Sequence, residues 1–437
     1  MSSEKPLSID NPEGRARKFN PSYSYYALGV LTVAYICNFV DRQILAILQE
    51  SIKAELGLMD WQLGLLSGIA FAIFYVSVGI PIARWADKSN RRNIVAIAIA
   101  TWSFMTALSG LAQNFVHLLL ARIGVAVGEA GGSPPAHSII SDLFPPHRRA
   151  TALSIYSMGV YFGILCGFLI GGWVNDFYGW RMVFFVIGIP GILWALVVRF
   201  TLREPPRGQS ENIEKVLDAP PVGEVLRLLW SRKSFRHMSL ASGLHSFVGY
   251  GLGHWIASYF IRTYDLTSTG ELATWLGLIT GFAGAAGTFA GGYLADRYGR
   301  RDPRWYLWIP GLAALLAIPS FLLVYLLEAY HLALVFYIIP QFLAAMFIGP
   351  TIAMTHGVVS LRMRALASSI LFFVLNLIGL GLGPLLTGIL SDVLTPTFGQ
   401  GALRYASMIV VFIYILAAFH FWRASKTIGE DLDNAPK

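Results

Sequence analysis

The chain has 437 residues, of which 55% are hydrophobic and only 13% are charged, whereas a soluble protein carries about a quarter charged residues. This composition excludes an ordinary soluble globular protein and favours one embedded in lipid. The formal net charge is +8, but the basic residues lie between the apolar stretches rather than on one face, so they do not indicate nucleic-acid binding.

Twelve apolar stretches, each about 20 residues long, run through almost the whole chain. A helix needs about that length to cross a hydrocarbon core of roughly 30 Å, so each stretch predicts one membrane-spanning helix. The first residues are polar, and we expect them to form a disordered cytoplasmic tail with no cleavable signal. The predicted spans are 24–49, 60–82, 94–112, 115–140, 150–174, 181–200, 235–261, 272–295, 305–327, 331–356, 364–391 and 402–422.

The distribution of basic residues predicts that both termini are cytoplasmic, since cytoplasmic loops are enriched in Lys and Arg. With both termini inside, most of the 33 Lys and Arg residues fall in the inner segments. The outer loops then hold Lys53, Arg181, Arg262 and Arg404. The positive charge is therefore a topology signal.

The longest hydrophilic segment separates spans six and seven and divides the chain into two halves of six helices each. No disulfide or metal site is predicted, because the two cysteines, Cys37 and Cys166, both lie inside spans. The predicted organisation is a tail at 1–23, an N-terminal bundle at 24–200, a cytoplasmic linker at 201–234, a C-terminal bundle at 235–423 and a cytoplasmic tail at 424–437.

Span five carries a stripe of glycines at a spacing of four residues. Such a stripe leaves one helix face bare, so a neighbouring membrane helix can approach closely. We expect it to serve tight helix packing. The stripe consists of Gly159, Gly163, Gly167 and Gly171.

One charged motif occurs twice, at the inner ends of spans two and eight. Residues 83–92 contain Asp87 and Arg91, and residues 292–301 contain Asp296 and Arg300 at the same spacing. A carboxylate at a helix end with arginines on the next turn can form ion pairs that break and re-form. A plain topology signal is the alternative interpretation, but the repetition at matching positions favours a gate.

This repeat resembles the cytoplasmic gate motif of the major facilitator superfamily, which lies between helices two and three and again between helices eight and nine. The second copy is nearly complete, and the first departs at several positions. The resemblance implies an all-α polytopic membrane protein with two pseudo-symmetric six-helix bundles. It also implies that Asp142 and Arg148, at the end of span four, belong to the same gate.

Within that superfamily, the chain resembles the Spinster branch at residues 38–45, 127–131 and 143–152. The resemblance implies alternating access and proton-coupled transport of lysophospholipids or sphingosine-1-phosphate. It assigns proton coupling and anion binding to Asp41, Arg42 and Glu129. It further implies a protein that acts as a monomer in the cell membrane, which would be the inner membrane in a bacterium.

Away from the ends of the predicted spans, four charged residues lie at membrane depth, where each costs a few kcal/mol and marks a functional site by default. Arg122 and Glu129 are seven residues apart on span four, hence on one face and about 10 Å apart along the axis. Arg122 and Asp41 lie at a similar distance from the outer ends of their spans, so we predict that they form a pair. Arg42 then alternates between Asp41, Glu129 and a substrate. Mutual neutralisation for helix packing is the alternative.

The rest of span one and the C-terminal half supply uncharged candidates for a cavity between the bundles. A cavity charged in one half and aromatic in the other suits an amphiphile with an anionic head. A packed, hydrogen-bonded histidine is the alternative interpretation for both histidines of span seven. The candidates are Tyr35 and Asn38 on the face of Arg42, His245, Ser246, Tyr250 and His254 on span seven, Thr355 on span ten and Asn376 on span eleven.

Three other functions remain open from the sequence. A multidrug or small organic-anion transporter shares the same polarity, and a membrane sensor would carry degenerate gate motifs. A membrane enzyme would need a metal cluster, a nucleophile motif or a phosphate-binding loop, and the sequence contains none of these. We expect no cofactor, and a proton rather than sodium as the coupling ion.

Overall fold

The computed structural model describes residues 20–207 and 221–436, and within them the regular structure is entirely helical. We number the membrane helices α1 to α12. The first six are α1 (Pro21–Leu56), α2 (Asp60–Ser67 and Ile69–Lys88), α3 (Arg91–Ser109), α4 (Phe115–Glu129 and Ser133–Leu143), α5 (Pro146–Tyr178) and α6 (Trp180–Thr201).

The C-terminal half repeats this arrangement with six more helices. They are α7 (Lys233–Tyr264), α8 (Thr269–Gly299), α9 (Trp305–Leu326), α10 (Tyr330–Ala344 and Ile348–Gly357, joined by Ala345–Phe347), α11 (Arg364–Val374, Leu375–Leu382 and Gly383–Phe398) and α12 (Ala402–Val411 and Ile413–Ser425).

The twelve helices confirm the predicted spans. Among the described residues, length and hydropathy alone identify nine membrane-crossing runs. That test leaves out α3, which begins with two arginines, and α7, which is rich in polar residues, and it counts α11 and α12 as the single run Leu366–Ser425. Separating that run and adding α3 and α7 gives twelve.

Two segments predicted to lie outside the membrane contain short helices. The linker contains a helix, Val222–Ser231, whose apolar side chains Val225 and Leu229 are buried against the C-terminal half. A further short helix, Ile428–Asp433, lies in the predicted C-terminal tail. Residues 1–19 of the predicted N-terminal tail lie outside the described part of the chain.

The glycine stripe of α5 packs against α1, as predicted. A Cβ atom on Gly163 would lie 2.5 Å from Cβ of Phe39, and one on Gly171 would lie 2.6 Å from Cγ2 of Ile47. Because atoms never approach that closely, only glycine permits this spacing. The stripe therefore holds α1, which carries two of the four membrane charges, close to α5.

Three membrane helices are interrupted beside the interface of the two halves. Helix α4 breaks after Glu129, where Pro134 at the start of its second segment has no backbone N–H to continue the ladder. Helix α2 breaks at Gly68, where a Cβ atom would lie 2.6 Å from the carbonyl oxygen of Gly381. In α11, Leu375–Leu382 is a π-helix, a local form that is frequent at functional sites.

Candidate functional site

The four membrane charges of the N-terminal half converge on one cluster. Asp41, Arg122 and Glu129 are each at most 2% exposed, whereas the side chain of Arg42 is 21% exposed. Nε of Arg42 donates to Oε2 of Glu129 at 2.5 Å. NH1 of Arg122 lies 3.8 Å from Oδ1 of Asp41. The predicted pairing of Arg122 with Asp41 is confirmed, and Arg42 pairs with Glu129 in this conformation.

A threonine of α3 completes the surroundings of Asp41. The Thr106 hydroxyl lies 2.5 Å from Oδ2 of Asp41 and 2.9 Å from the carbonyl oxygen of Trp102. Sequence reasoning missed Thr106, because a hydroxyl on a membrane helix usually bonds its own backbone, and nothing in the sequence distinguishes it from other such residues.

Aromatic rings enclose the guanidinium of Arg42. Its central carbon lies 5.2 Å from the ring centres of Phe39 and Phe71 and 4.8 Å from that of Tyr75. Phe71 also lies 5.5 Å from the central carbon of Arg122. Each such contact is worth about 0.5–2 kcal/mol. The aromatic wall therefore holds Arg42 in place even when its carboxylate partner changes.

Several polar atoms of the cluster are buried without a hydrogen-bond partner among the described residues. In the N-terminal half they belong to Asn38, Asp41, Arg122 and Glu129, and in the C-terminal half to Nε2 of His254. His254 lies within electrostatic range of Arg122. Each unsatisfied buried polar group costs about 1–3 kcal/mol, so a polar ligand or water molecules that bond these atoms would stabilise the cluster.

Tyrosines of both halves face the exposed side of the cluster. Tyr250 of α7 is 42% exposed and lies within electrostatic range of Arg42 and Tyr75. Tyr35 of α1 stacks on Tyr156, with 4.3 Å between the ring centres. Both tyrosines lie within electrostatic range of Arg42.

Three predicted cavity residues lie in packed interior instead. Nε2 of His245 is 2.8 Å from the carbonyl oxygen of Ala344, among aromatic rings of the C-terminal half. Ser246 is buried where α7 crosses Gly379 of α11. Thr355 is fully buried and bonds its own helix. One face of α7 packs against α10 and α11 in this conformation, which agrees with the interpretation of His245 as a packed, hydrogen-bonded histidine. Asn376 is half-buried in the π-helix.

At the outer side, away from the chain termini, ion pairs join the two halves. Arg262 of α7 bonds the carboxylate of Glu50 on α1 at 2.8 Å and that of Asp60 on α2 at 2.7 Å. Lys53 lies 2.5 Å from Asp60, and Ser391 of α11 donates to Asp60 at 2.7 Å. The sequence placed Lys53 and Arg262 in outer loops but gave no sign of these partners.

Two aspartates at the outer side cap helices of the opposite half. Asp176, at the end of α5, accepts hydrogen bonds from the backbone N–H groups of Thr269 and Gly270, at the start of α8, at 2.8 Å each. Asp392, near the end of α11, accepts from the N–H groups of Asp60 and Trp61, at the start of α2, at 3.1 and 2.7 Å. Since α5 corresponds to α11 and α8 to α2, the two caps are related by the pseudo-symmetry.

The inner gate motif forms contacts inside each half. Arg91 is 1% exposed and bonds Asp142 at 2.5 Å, Glu204 at 2.7 Å and Ser138 at 2.7 Å. Glu204 begins the linker and was missed, because the sequence showed it only as part of a hydrophilic loop.

The remaining gate residues make fewer contacts. Asp296 accepts a hydrogen bond from the hydroxyl of Tyr306 at 2.7 Å, within the C-terminal half. Arg148 and Arg300 are exposed. The side chain of Asp87 lies outside the part that the structure describes.

In the described part of the chain, the ion pairs and hydrogen bonds between the two halves lie at the outer side and near the middle of the helices. Of the hydrogen bonds between the halves in residues 20–207 and 221–436, the innermost joins the hydroxyls of Tyr161 and Thr288 at 2.5 Å, near the middle of α5 and α8. The inner gate residues described above bond within their own halves. The exposed side of Arg42 and Tyr250 therefore faces the inner side.

Comparison with known proteins agrees with this architecture. The model of the Major Facilitator Superfamily matches residues 31–384. The fold is similar to a crystal structure of a bacterial homologue of the human lysosomal transporter Spinster, in an inward-facing and unoccupied conformation. The TM-score is 0.87 and the sequences are 34% identical, over 94% of this chain and 99% of that chain.

Two curated proteins are similar over nearly the full length. An MFS-type efflux pump of Mycolicibacterium smegmatis is 31% identical, over 95% of this chain and 96% of that protein. The sphingosine-1-phosphate transporter SPNS2 of Danio rerio is 24% identical, over 94% of this chain and 86% of that protein.

Proposed function

Because this chain belongs to the major facilitator superfamily and to its Spinster-like branch, we propose that it is a proton-coupled secondary transporter of amphiphilic organic anions. The substrates would resemble lysophospholipids or sphingosine phosphates. The observation that carries the proposal is the ion pair of Arg42 and Glu129. Its guanidinium lies among aromatic rings and is partly exposed on the inner side.

Proton coupling follows from the competition for Arg42. A protonated Glu129 no longer attracts the guanidinium, so Arg42 becomes free to bind an anionic head. Conversely, an anion bound to Arg42 leaves Glu129 without its partner in a buried place, which favours the neutral, protonated carboxyl. Binding of the proton and binding of the anion therefore support each other, as linkage requires.

Asp41 supplies a second protonation site with a different partner. It is held by Arg122 and Thr106, and Arg122 faces His254 of the other half. A rotation of the halves would change the distance between His254 and Arg122, and with it the surroundings of Asp41. The carboxylate thus has two environments in the two conformations, which is what alternating access needs in order to load and release a proton.

The substrate class follows from the unequal surroundings of the cluster. The N-terminal half offers two arginines for a phosphate or carboxylate head. The C-terminal half offers the hydroxyl of Tyr250 and the imidazole of His254 in place of arginines. The relatives include a transporter of sphingosine-1-phosphate, and we place this chain, as a monomer, in the cell membrane, which is the inner membrane in a bacterium.

Flux into proteoliposomes tests the proposal. Labelled lysophospholipid and sphingosine phosphate are supplied with an imposed pH gradient, with a sodium gradient and with none. The proposal expects flux that requires the pH gradient and that is lost in Asp41→Asn. Flux driven by a sodium gradient alone would contradict the proton as the coupling ion. The absence of lipid flux under every gradient would contradict the proposed substrate class.

An exporter of drugs is the second candidate, and the efflux pump among the relatives favours it. The same proteoliposomes distinguish a drug exporter from a lipid transporter, because a lipophilic cation does not bind to the guanidinium of Arg42. Gradient-driven flux of a cation that persists in Arg42→Ala, with none of the lipid anions, would establish the second candidate.

A further inference from the structure

We propose that the groove between α9 and α12 binds an anionic phospholipid of the inner leaflet, separately from the transport cavity. The groove has a volume of about 560 Å³ and lies on the outside of the C-terminal bundle, away from the cluster of Asp41 and Glu129. The inference does not depend on what the protein transports. The residues that shape the groove are Trp305, Trp308, Gly311, Leu315, Phe419 and Trp422.

The length of the groove fits one acyl chain in one leaflet. It runs from Trp305, at the inner end of α9, to Leu315, ten residues further along the helix. At 1.5 Å per residue this is about 15 Å, half of a hydrocarbon core of roughly 30 Å. Because Gly311 has no side chain, the groove is deep at this position. Apart from the indole N–H groups, the walls are apolar.

Three tryptophans mark the inner end of the groove at the depth of lipid head groups. Nε1 of Trp308 donates to the Ser425 hydroxyl at 3.0 Å, which ties the inner ends of α9 and α12 together. Trp305 and Trp422 lie on either side of this bond along their helices. Tryptophan is enriched at that depth because its ring is apolar and its N–H is polar.

Basic residues flank the inner ends of α9 and α12, where a lipid head group would lie. Nζ of Lys426 sits 3.7 Å from the ring centre of Trp422, a groove residue. Arg423 adjoins it on α12, and Arg301 and Arg304 precede α9. All four side chains are exposed.

These four basic side chains form few ion pairs within the described part of the protein. Among residues 20–207 and 221–436, the one ion pair of these four side chains is a long contact of 4.0 Å from Arg304 to Asp302. Since these four cations form no other ion pair in those ranges, they can attract an anionic head group, whereas a zwitterionic head group gains little from them. An apolar groove with a cationic end thus matches the two ends of an anionic phospholipid.

Native mass spectrometry of the purified full chain tests the proposal, with phosphatidylglycerol and phosphatidylcholine of identical acyl chains. We expect phosphatidylglycerol to bind more tightly. The double variant Arg423→Gln with Lys426→Gln should lose that preference, on the order of tenfold in affinity. Removing two exposed basic residues elsewhere on the inner side, Arg199→Gln with Arg227→Gln, should leave it unchanged.

A second pair of variants tests the acyl-chain half of the site. Leu315→Trp fills the groove and should weaken phosphatidylglycerol binding, whereas Leu316→Trp adds the same side chain one position away, outside the groove, and should not. Equal affinity for the two lipids, equal effects of the matched variants, or displacement of the lipid by soluble glycerol 3-phosphate would overturn the proposal.

Discussion

Asp176 and Asp392 each cap a helix of the opposite half, so replacing them should shift the protein toward conformations that are open at the outer side. The backbone N–H groups at the starts of α8 and α2 lose their acceptors in Asp176→Ala and Asp392→Ala. In the closed conformation nothing replaces these acceptors, whereas in the open conformation water does. The change therefore penalises only the closed state.

The magnitude follows from the cost of removing a helix cap. An N-cap aspartate replaced by alanine costs about 1 kcal/mol, which is about fivefold in the ratio of outer-open to outer-closed molecules. The two caps share no partner, so their effects should add. The double variant should shift the ratio by about 2 kcal/mol, or about thirtyfold.

Distance measurements between spin labels at the outer side provide the assay. Cysteines at Leu111, in the N-terminal half, and Gln400, in the C-terminal half, are exposed and suit labelling once Cys37 and Cys166 are replaced. The long-distance fraction should grow in each single variant and grow further in the double variant.

Two control variants separate capping from other effects of the same mutations. Asp176→Asn keeps an acceptor oxygen and should shift the ratio far less than alanine does, because asparagine caps helices as well as aspartate. Glu55→Gln alters a salt bridge with Arg181 inside the N-terminal half and should leave the ratio unchanged. An unchanged ratio in the double alanine variant would refute the reasoning.

Three further predictions concern single residues. Arg42→Ala should reduce flux of anionic substrates more than that of neutral analogues, since the guanidinium binds the charged head; equal losses would indicate a structural arginine. Gly163→Ala should lower the melting temperature of the purified protein, because its Cβ meets Phe39 at 2.5 Å, at a cost of about 1–3 kcal/mol. Gly159→Ala, with its nearest contact at 3.2 Å, is the matched control, and an equal loss would contradict the packing argument. Arg91→Ala should cost about 3–5 kcal/mol by removing the buried guanidinium that pairs with Asp142 and Glu204, and Arg91→Lys should recover part of the melting temperature; no loss in alanine would show that these ion pairs are dispensable.

The sequence predicted features that depend on one helix or on one general rule. Apolar length gave the twelve spans, and the glycine spacing gave the bare face of α5. Depth along the helices was enough to pair Asp41 with Arg122, because both lie at a similar distance from the outer ends. Each of these inferences needs only the geometry of a helix and the thickness of a membrane.

The missed features depend on contacts between helices that are distant in the chain. Nothing about Asp176 or Asp392 in the sequence shows that a helix of the other half begins beside it. Tyr75 and Phe71 are ordinary aromatic residues of a membrane helix until α2 is placed against α1. The sequence left two interpretations of His245 open because the rotation of α7 about its axis is set by packing against α10 and α11.

The central claim is that a proton on Glu129 and an anion on Arg42 support each other's binding. The direct measurement is the pH of a weakly buffered solution of the purified protein while a lysophospholipid or sphingosine phosphate is added. The account predicts that the substrate makes the protein take up protons, so the pH rises, and that Glu129→Gln abolishes a large part of this uptake. Proton release on substrate binding, or equal uptake in wild type and Glu129→Gln, would contradict it.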